Sequence, residues 1–255
     1  MTTVRVERDG ELLRITLARP ERRNAFDADL IRELHDVFAD VGDVRAVVLA
    51  GDGPSFCAGA DVEWQRSSID LTYEENVEDY RRLYRMLQAI YRCPAPVVVR
   101  VHGFALGGGS GLTACADIAI AAEEAVFGFS EVRLGIIPGV ISPMVLARIG
   151  PAAARRYFLT GERFDARAAL RIGLVDEVAA DPDGAVERVV EAILAGGPTA
   201  VREAKRLALE PGDEEDLLAR AAERRASPEG QEGLRAFLGS RAGERVRPSW
   251  QSPGG

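Results

Sequence analysis

Three short stretches that are apolar on both alternating faces constrain this chain more than any other feature: residues 44–50 (VRAVVLA), 96–101 (PVVVRV) and 117–121 (DIAIA). A strand that faces water on one side alternates apolar with polar residues; a near-continuous apolar run belongs to a strand covered on both faces, as in parallel sheets. Amphipathic stretches separate these runs. One starts at the N-cap candidate Asp27 and places Leu30, Ile31, Leu34, Val37 and Phe38 on one face; a second covers residues 74–92. Residues 4–6 and 12–17 flank Asp9-Gly10 as a hairpin, and residues 126–129 read as a fourth buried strand. The pattern predicts an α/β core with a largely parallel sheet.

Beyond Gly139 the texture becomes alanine- and arginine-rich with helical periodicity, broken at Gly161, Gly173, 181–184, 196–198 and 211–212. The break at Gly196 divides an α/β core over 1–195 from a helical region over 196–255, in which 246–255 reads as a loose tail. No run approaches the ~20 apolar residues of a membrane span, and the first ten residues lack a signal-peptide pattern, so the expectation is an unexported, cytoplasmic protein without a membrane partner. The 32 basic and 40 acidic residues give a net charge of −8, which argues against nucleic acid as a partner. Cys57, Cys93 and Cys115 form no CxxC pair, and an odd number of thiols fits a reducing compartment. Two histidines supply too few ligands for the usual metal sites. Lys205 is the single lysine, so other cationic work falls to arginine.

Two glycine-rich joints follow buried strands, residues 56–61 (FCAGAD) and 103–111 (GFALGGGSG). The second is neither a dinucleotide fingerprint nor a P-loop, because Leu112 stands where a further glycine would be needed and no Gly-Lys-Ser/Thr follows. The same Leu112 excludes a nucleophile elbow around Ser110. His35, on a helix flank, and His102, at a strand end, read as structural. Such joints let backbone approach a ligand and present free N–H groups, one from each turn, as an oxyanion hole; a helix starting near Gly108 adds its positive end. Glycine content alone equally allows two tight packing turns.

The remaining pattern decides. Residues 19–26 (RPERRNAF), 44–62 (VRAVVLAGDGPSFCAGADV), 101–122 (VHGFALGGGSGLTACADIAIAA), 127–139 (FGFSEVRLGIIPG) and 228–241 (PEGQEGLRAFLGSR) resemble the enoyl-CoA hydratase/isomerase (crotonase) family over essentially the whole chain. The resemblance implies a crotonase-like α/β spiral of ββα units, a helical C-terminal trimerisation region, and a homotrimer or hexamer built as a dimer of trimers. It implies an acyl-CoA thioester substrate, of which coenzyme A is part, and no metal or other cofactor. Carried over by position, the oxyanion amides fall on Ala60 and Gly108. Arg22, Arg23 and Ala25 fall where the family contacts CoA, with the adenine near Ala60, Asp61 and Val62; Gly107, Gly108 and Gly111 complete the substrate-binding set. Guanidinium pairs phosphate through two hydrogen bonds, which suits Arg22 and Arg23. Ser240 and Arg241 stand where many relatives carry a phosphate-binding lysine.

Typical hydratases of the family hold water between two glutamates. The second matches Glu131; the position of the first is Gly111. Apolar neighbours predict a raised Glu131 pKa. A single carboxylate serves a 3- to 2-enoyl isomerisation plainly, and it serves hydration by deprotonating water and relaying the proton. Residues 59–64 (GADVEW), 107–112 (GGGSGL) and 130–143 (SEVRLGIIPGVISP) resemble the branch acting on branched acyl groups, the 3-methylglutaconyl-CoA hydratases of leucine degradation. The expectation is therefore an enoyl-CoA hydratase, with an isomerase second and a non-catalytic CoA-binding member as the alternative. An acyl group with a free carboxylate needs a cation, for which Arg100 and Arg133 are the candidates.

Overall fold

The structure is a computed structural model that describes residues 2–242 and 246–251. β1 (Val4–Asp9) and β2 (Leu12–Leu17) form the expected antiparallel hairpin, with Val4 opposite Leu17 and Asp9 opposite Leu12. α1 (Ala28–Ala39) follows, capped by the Asp27 carboxylate accepting from the Leu30 N–H, and buries Leu30, Ile31, Leu34 and Phe38. After β3 (Ala46–Gly51) come α2 (Val62–Ser67) and the long α3 (Tyr73–Tyr91), which starts with a reciprocal Thr72/Glu75 capping box. β4 (Val97–Val101), β5 (Phe104–Leu106), α4 (Gly108–Cys115), β6 (Ile118–Ala122) and β7 (Val126–Gly128) then bring the chain to α5 (Ser142–Thr160). The remaining elements are β8 (Arg163–Asp165), α6 (Ala166–Arg171), β9 (Glu177–Ala179), α7 (Pro182–Leu194), α8 (Pro198–Leu209), α9 (Glu214–Ala226) and α10 (Pro228–Arg241).

Six strands form one sheet in the order β1-β2-β3-β4-β6-β9, parallel from β2 onward. The apolar runs are explained by what covers each face. Val47, Leu49, Val97 and Val99 face a core shared with α1, α3, α4 and α5, whereas Ala46, Val48, Val98 and Ile120 face Ala185, Val186 and Val190 of α7. At roughly 25 cal/mol per Å² of buried apolar surface, sealing both faces of the central strands is the main local source of stability.

A second sheet has the order β5-β7-β8. The sequence pattern reads residues 103–111 as a turn and the region around 163–165 and 177–179 as helical. The structure instead places three-residue strands there, too short to show a period of two. Both glycine-rich joints meet at β5: Cys57 donates to the Phe104 carbonyl, and Leu106 donates back to the Cys57 carbonyl.

The helical region after Gly196 is tied to the core by buried cations. The Lys205 ammonium, on α8, donates to Asp117 (2.6 Å) and to the Ala95 carbonyl. Arg45 Nη2, beside β3, donates to the Leu194 and Gly196 carbonyls at 2.6 Å each, and so closes the end of α7. The loose tail expected over 246–255 is corrected in part. Ser249–Gln251 form a 3-10 turn; Ser249 N–H donates to Glu232, Gln251 Nε2 to the Ala195 carbonyl, and Arg45 Nη1 to the Trp250 carbonyl. Residues 252–255 of that expected tail lie outside the described residues. Among the described residues no helix is long and apolar enough to cross a membrane.

Candidate active site

Two loops are stitched side by side to frame the site. Asn24 is fully buried: its amide donates to the Asp52 and Ser55 carbonyls and its oxygen accepts from Arg19 N–H. Arg19 reaches the Ala25 carbonyl, Asp27 (2.8 Å) and Asp61 (3.3 Å). Phe26 N–H donates to the Gly59 carbonyl, and Asp61 N–H donates to the Phe26 carbonyl. These bonds leave the amide between them, that of Ala60, aimed away from Phe26 and without an acceptor among the described residues.

The second amide comes from the start of α4. Gly107 is its N-cap at φ 51° and ψ −116°, a backbone conformation that a side chain disfavours, and a Cβ there would also sit 3.2 Å from Glu131 Oε1. Gly108 is the first residue of the helix, so its N–H has no partner within the helix and lies at the positive end of the dipole.

Ala60, Gly107, Gly108 and Glu131 all line one cavity of about 700 Å³. Its apolar lining includes Phe26, Leu83, Leu106, Val140 and Ile141; Trp64 from α2 and Asn76, Asp79 and Tyr80 from α3 line it as well. Glu131 opens a one-turn 3-10 helix, residues Glu131–Leu134. Its Oε2 is buried with no hydrogen-bond partner among the described residues, and burial pushes its pKa above the ordinary glutamate value against the pull of its own backbone amide. A carboxylate held in this way is a poised proton acceptor.

Gly111 does not reach the cavity. It is buried in α4, and a Cβ on it would meet the side chain of Ile141, 2.9 Å from Ile141 Cβ and closer to Cγ2. Hydrocarbon therefore fills the place that a side chain at 111 would take. Cys57, beside the Ala60 loop, is fully buried with its thiol pushed up to about 12 by desolvation, which removes it as a nucleophile at neutral pH.

The other expected residues are distributed as follows. Val62 lines the cavity mouth and is exposed; Asp61 does not line it, because its carboxylate caps α2 through Glu63 N–H and pairs with Arg19. Arg22 and Arg23 are exposed on the turn before Phe26, and Ala25 is buried beneath it. The Arg23 guanidinium stacks on Phe104 from 5.7 Å, and Arg163 stacks on the same ring from 5.4 Å. The two arginines expected to meet an acyl carboxylate are corrected. Arg100 is committed to Asp183 and His102 on the α7 side of the sheet, and Arg133 lies along Gly161 at the end of α5. His102 bridges Arg100 and the Gly53 carbonyl, and His35 is a surface residue beside Asp36, so both are structural as expected. Sequence reading missed the roles of Arg19 and Asn24, which stitch a turn that holds Arg23 and Asn24 at positive φ. It also missed Asp79, whose carboxylate lies beside the Trp64 indole of the GADVEW motif.

This architecture, a six-stranded mixed sheet with a small second sheet, is shared with solved structures of crotonase type. The chain matches an enoyl-CoA hydratase from Shewanella pealeana with TM-score 0.87 and 36% identity over 97% of this chain and 96% of that one. It matches AtuE of Pseudomonas aeruginosa with TM-score 0.92 and 37% identity over 98% and 100%. A crotonyl-CoA hydratase from Syntrophomonas wolfei is 34% identical over 80% of each chain. The sequence model for enoyl-CoA hydratase/isomerase covers residues 7–251, and the chain belongs to that family.

Proposed function

We propose that the protein is an enoyl-CoA hydratase that adds water reversibly to a 2-enoyl-CoA thioester. The observation that carries the reading is that Glu131, whose Oε2 is buried and unpartnered among the described residues, lines the same cavity as Ala60 and Gly108. In the proposed reaction the thioester oxygen accepts hydrogen bonds from both amides, which draws electron density from the conjugated double bond. Glu131 removes a proton from water as the water oxygen bonds to the β-carbon, and the electron pair of the double bond moves to the thioester oxygen as an enolate. The enolate collapses with the α-carbon taking the proton that Glu131 gained, so carboxylate and charge are restored. Backbone donors of this kind each contribute about 3 kcal/mol to barrier lowering. The reading calls for no metal and no cofactor beyond the coenzyme A of the substrate. Arg22 and Arg23 serve the phosphates, and the helices after Gly196 serve a homotrimer or a dimer of trimers in a reducing cytoplasm.

A second reading, double-bond isomerisation with Glu131 moving one proton between two carbons, is favoured by Ile141 occupying the space beside Gly111. The two differ by eighteen mass units in product. A panel of 2-enoyl- and 3-enoyl-CoA thioesters followed by mass spectrometry is expected to give water addition on the 2-enoyl members. Conversion of 3-enoyl to 2-enoyl thioesters without mass gain would replace hydration with isomerisation, and no conversion of either would leave the non-catalytic CoA-binding alternative.

A further inference from the structure

The lining of the cavity includes a second carboxylate, Asp79, that the reaction above does not use. Asp79 lies on α3, one turn after Asn76 and one turn before Leu83, so all three face the same way at helical spacing. The Asn76 amide group is already spent on the Leu71 and Thr72 carbonyls, which leaves its oxygen as an acceptor. Asp79 is partly buried; burial raises its pKa, opposed by the nearby Trp64 indole and Arg82. Arg66 is the one cationic side chain among the cavity's described residues, and its guanidinium is exposed and bound to both oxygens of Glu63. The acidic groups of the cavity are therefore Glu131, beside the two amides, and Asp79, beside the Asn76 oxygen on α3; its side-chain donors, such as Trp64, Gln65 and Tyr80, are neutral, and among the described residues it holds no free cation.

Resting on the acyl-CoA reading, we infer that Asp79 is a specificity-determining residue: it selects acyl groups that carry a hydrogen-bond donor such as a hydroxyl at their far end, and it rejects acyl groups that end in a carboxylate. A hydroxyl can donate to Asp79 beside the Trp64 indole and so add a partner to a carboxylate that an acyl chain filling the cavity desolvates further. A terminal carboxylate would enter a cavity that already carries two acidic side chains, and among the described residues it would meet only neutral donors and no unpaired cation to offset the repulsion.

The test uses saturated thioesters, so that no reaction is needed. Short- and medium-chain acyl-CoAs ending in methyl, hydroxyl or carboxylate are titrated calorimetrically into the wild-type protein and into Asp79→Asn and Asp79→Leu. The wild type is expected to bind the ω-hydroxyacyl member at least about tenfold more tightly than the ω-carboxyacyl member of equal length. Asp79→Leu removes the hydroxyl preference over methyl, while the isosteric Asp79→Asn, whose fold is least disturbed, relaxes the rejection of carboxylate. Equal binding of hydroxyl and carboxylate members by the wild type, or unchanged ratios in both variants, overturns the assignment. Selective binding without turnover of the matching 2-enoyl thioesters would retain the assignment and remove the hydratase reading; absence of binding by any acyl-CoA would remove both.

Discussion

Gly111 and Ile141 are complementary: the bare backbone of one is packed by the branched side chain of the other, with Ile141 Cβ 2.9 Å from where a Gly111 Cβ would lie. The pair turns the departure at 111 from a missing residue into a filled space. Gly111→Glu alone is expected to lower stability by about 1–3 kcal/mol through overpacking. In the double variant with Ile141→Ala the new side chain has room, and the combined loss should be smaller than the sum of the single losses by at least ~1 kcal/mol. Denaturant titration of the four proteins of the cycle measures this; additive losses would show that the two positions do not compete for one volume.

Glu131 ties activity against stability. Glu131→Gln should lower turnover by roughly 10²–10⁴-fold while CoA-thioester binding is largely kept. The same substitution should raise the melting temperature at neutral pH. The sign follows from the raised pKa: a carboxyl whose folded pKa lies above its unfolded value favours folding when protonated, and that contribution is lost as pH rises through the folded pKa. At neutral pH the wild type thus holds a buried charge that glutamine removes, and the advantage of the variant should vanish below the ordinary glutamate pKa. Melting curves across that range check it, and an acid limb of kcat/KM lying above the ordinary carboxylate range is the matching kinetic signature.

Gly108 sets the second amide by close contact. A Cβ at this position would run into the Phe26 ring, 2.8 Å from Cδ2 and nearer to Cε2. Phe26 is buried and fixed through the Gly59 and Asp61 backbone bonds, so the helix start must move instead. Gly108→Ala is expected to reduce kcat about 10²-fold with a smaller change in KM, the mark of a donor that acts mainly on the developing enolate oxygen. Steady-state kinetics on a short 2-enoyl-CoA reads the split; a change confined to KM would place the amide in substrate binding alone.

The parts legible in sequence were those written in neighbouring residues. Strands β3, β4 and β6 announce themselves because both of their faces are covered, and the Asp27 cap is local to its helix. The motif residues Ala60, Gly108 and Glu131 were legible through family resemblance, and the structure brings all three to one cavity. Elements held by distant contacts were not legible. β5, β8 and β9 are three residues each and exist through their partners in the sheets. The turn at 249–251 is held by Arg45 and Glu232, and Asp79 of α3 lines the cavity together with residues distant in sequence, such as Gly108 and Glu131. Arg100 and Arg133 look available in sequence but are occupied or turned away by side chains and backbone far along the chain.

Lys205, conspicuous as the only lysine, proves to be structural. Its ammonium is 7% exposed and reaches Asp117, which is 22% exposed and also accepts from Val97 N–H at the start of β4. One lysine thus fixes α8 to the sheet where β4 and β6 begin. Lys205→Met keeps the length and apolar stem but leaves Asp117 buried without its cation, and it should cost about 3–5 kcal/mol. Burial already holds the Asp117 pKa above the ordinary aspartate value despite Lys205, so removing the lysine must push it higher. Because a raised folded pKa favours folding only while the group is protonated, the deficit of the variant should be largest at neutral pH and shrink as acid neutralises Asp117. The double variant Lys205→Met with Asp117→Asn, which removes the stranded charge, should recover part of the loss at neutral pH. Urea titrations at neutral and mildly acidic pH measure both effects, and a deficit independent of pH and of the second substitution would assign the role of Lys205 to packing rather than to its charge.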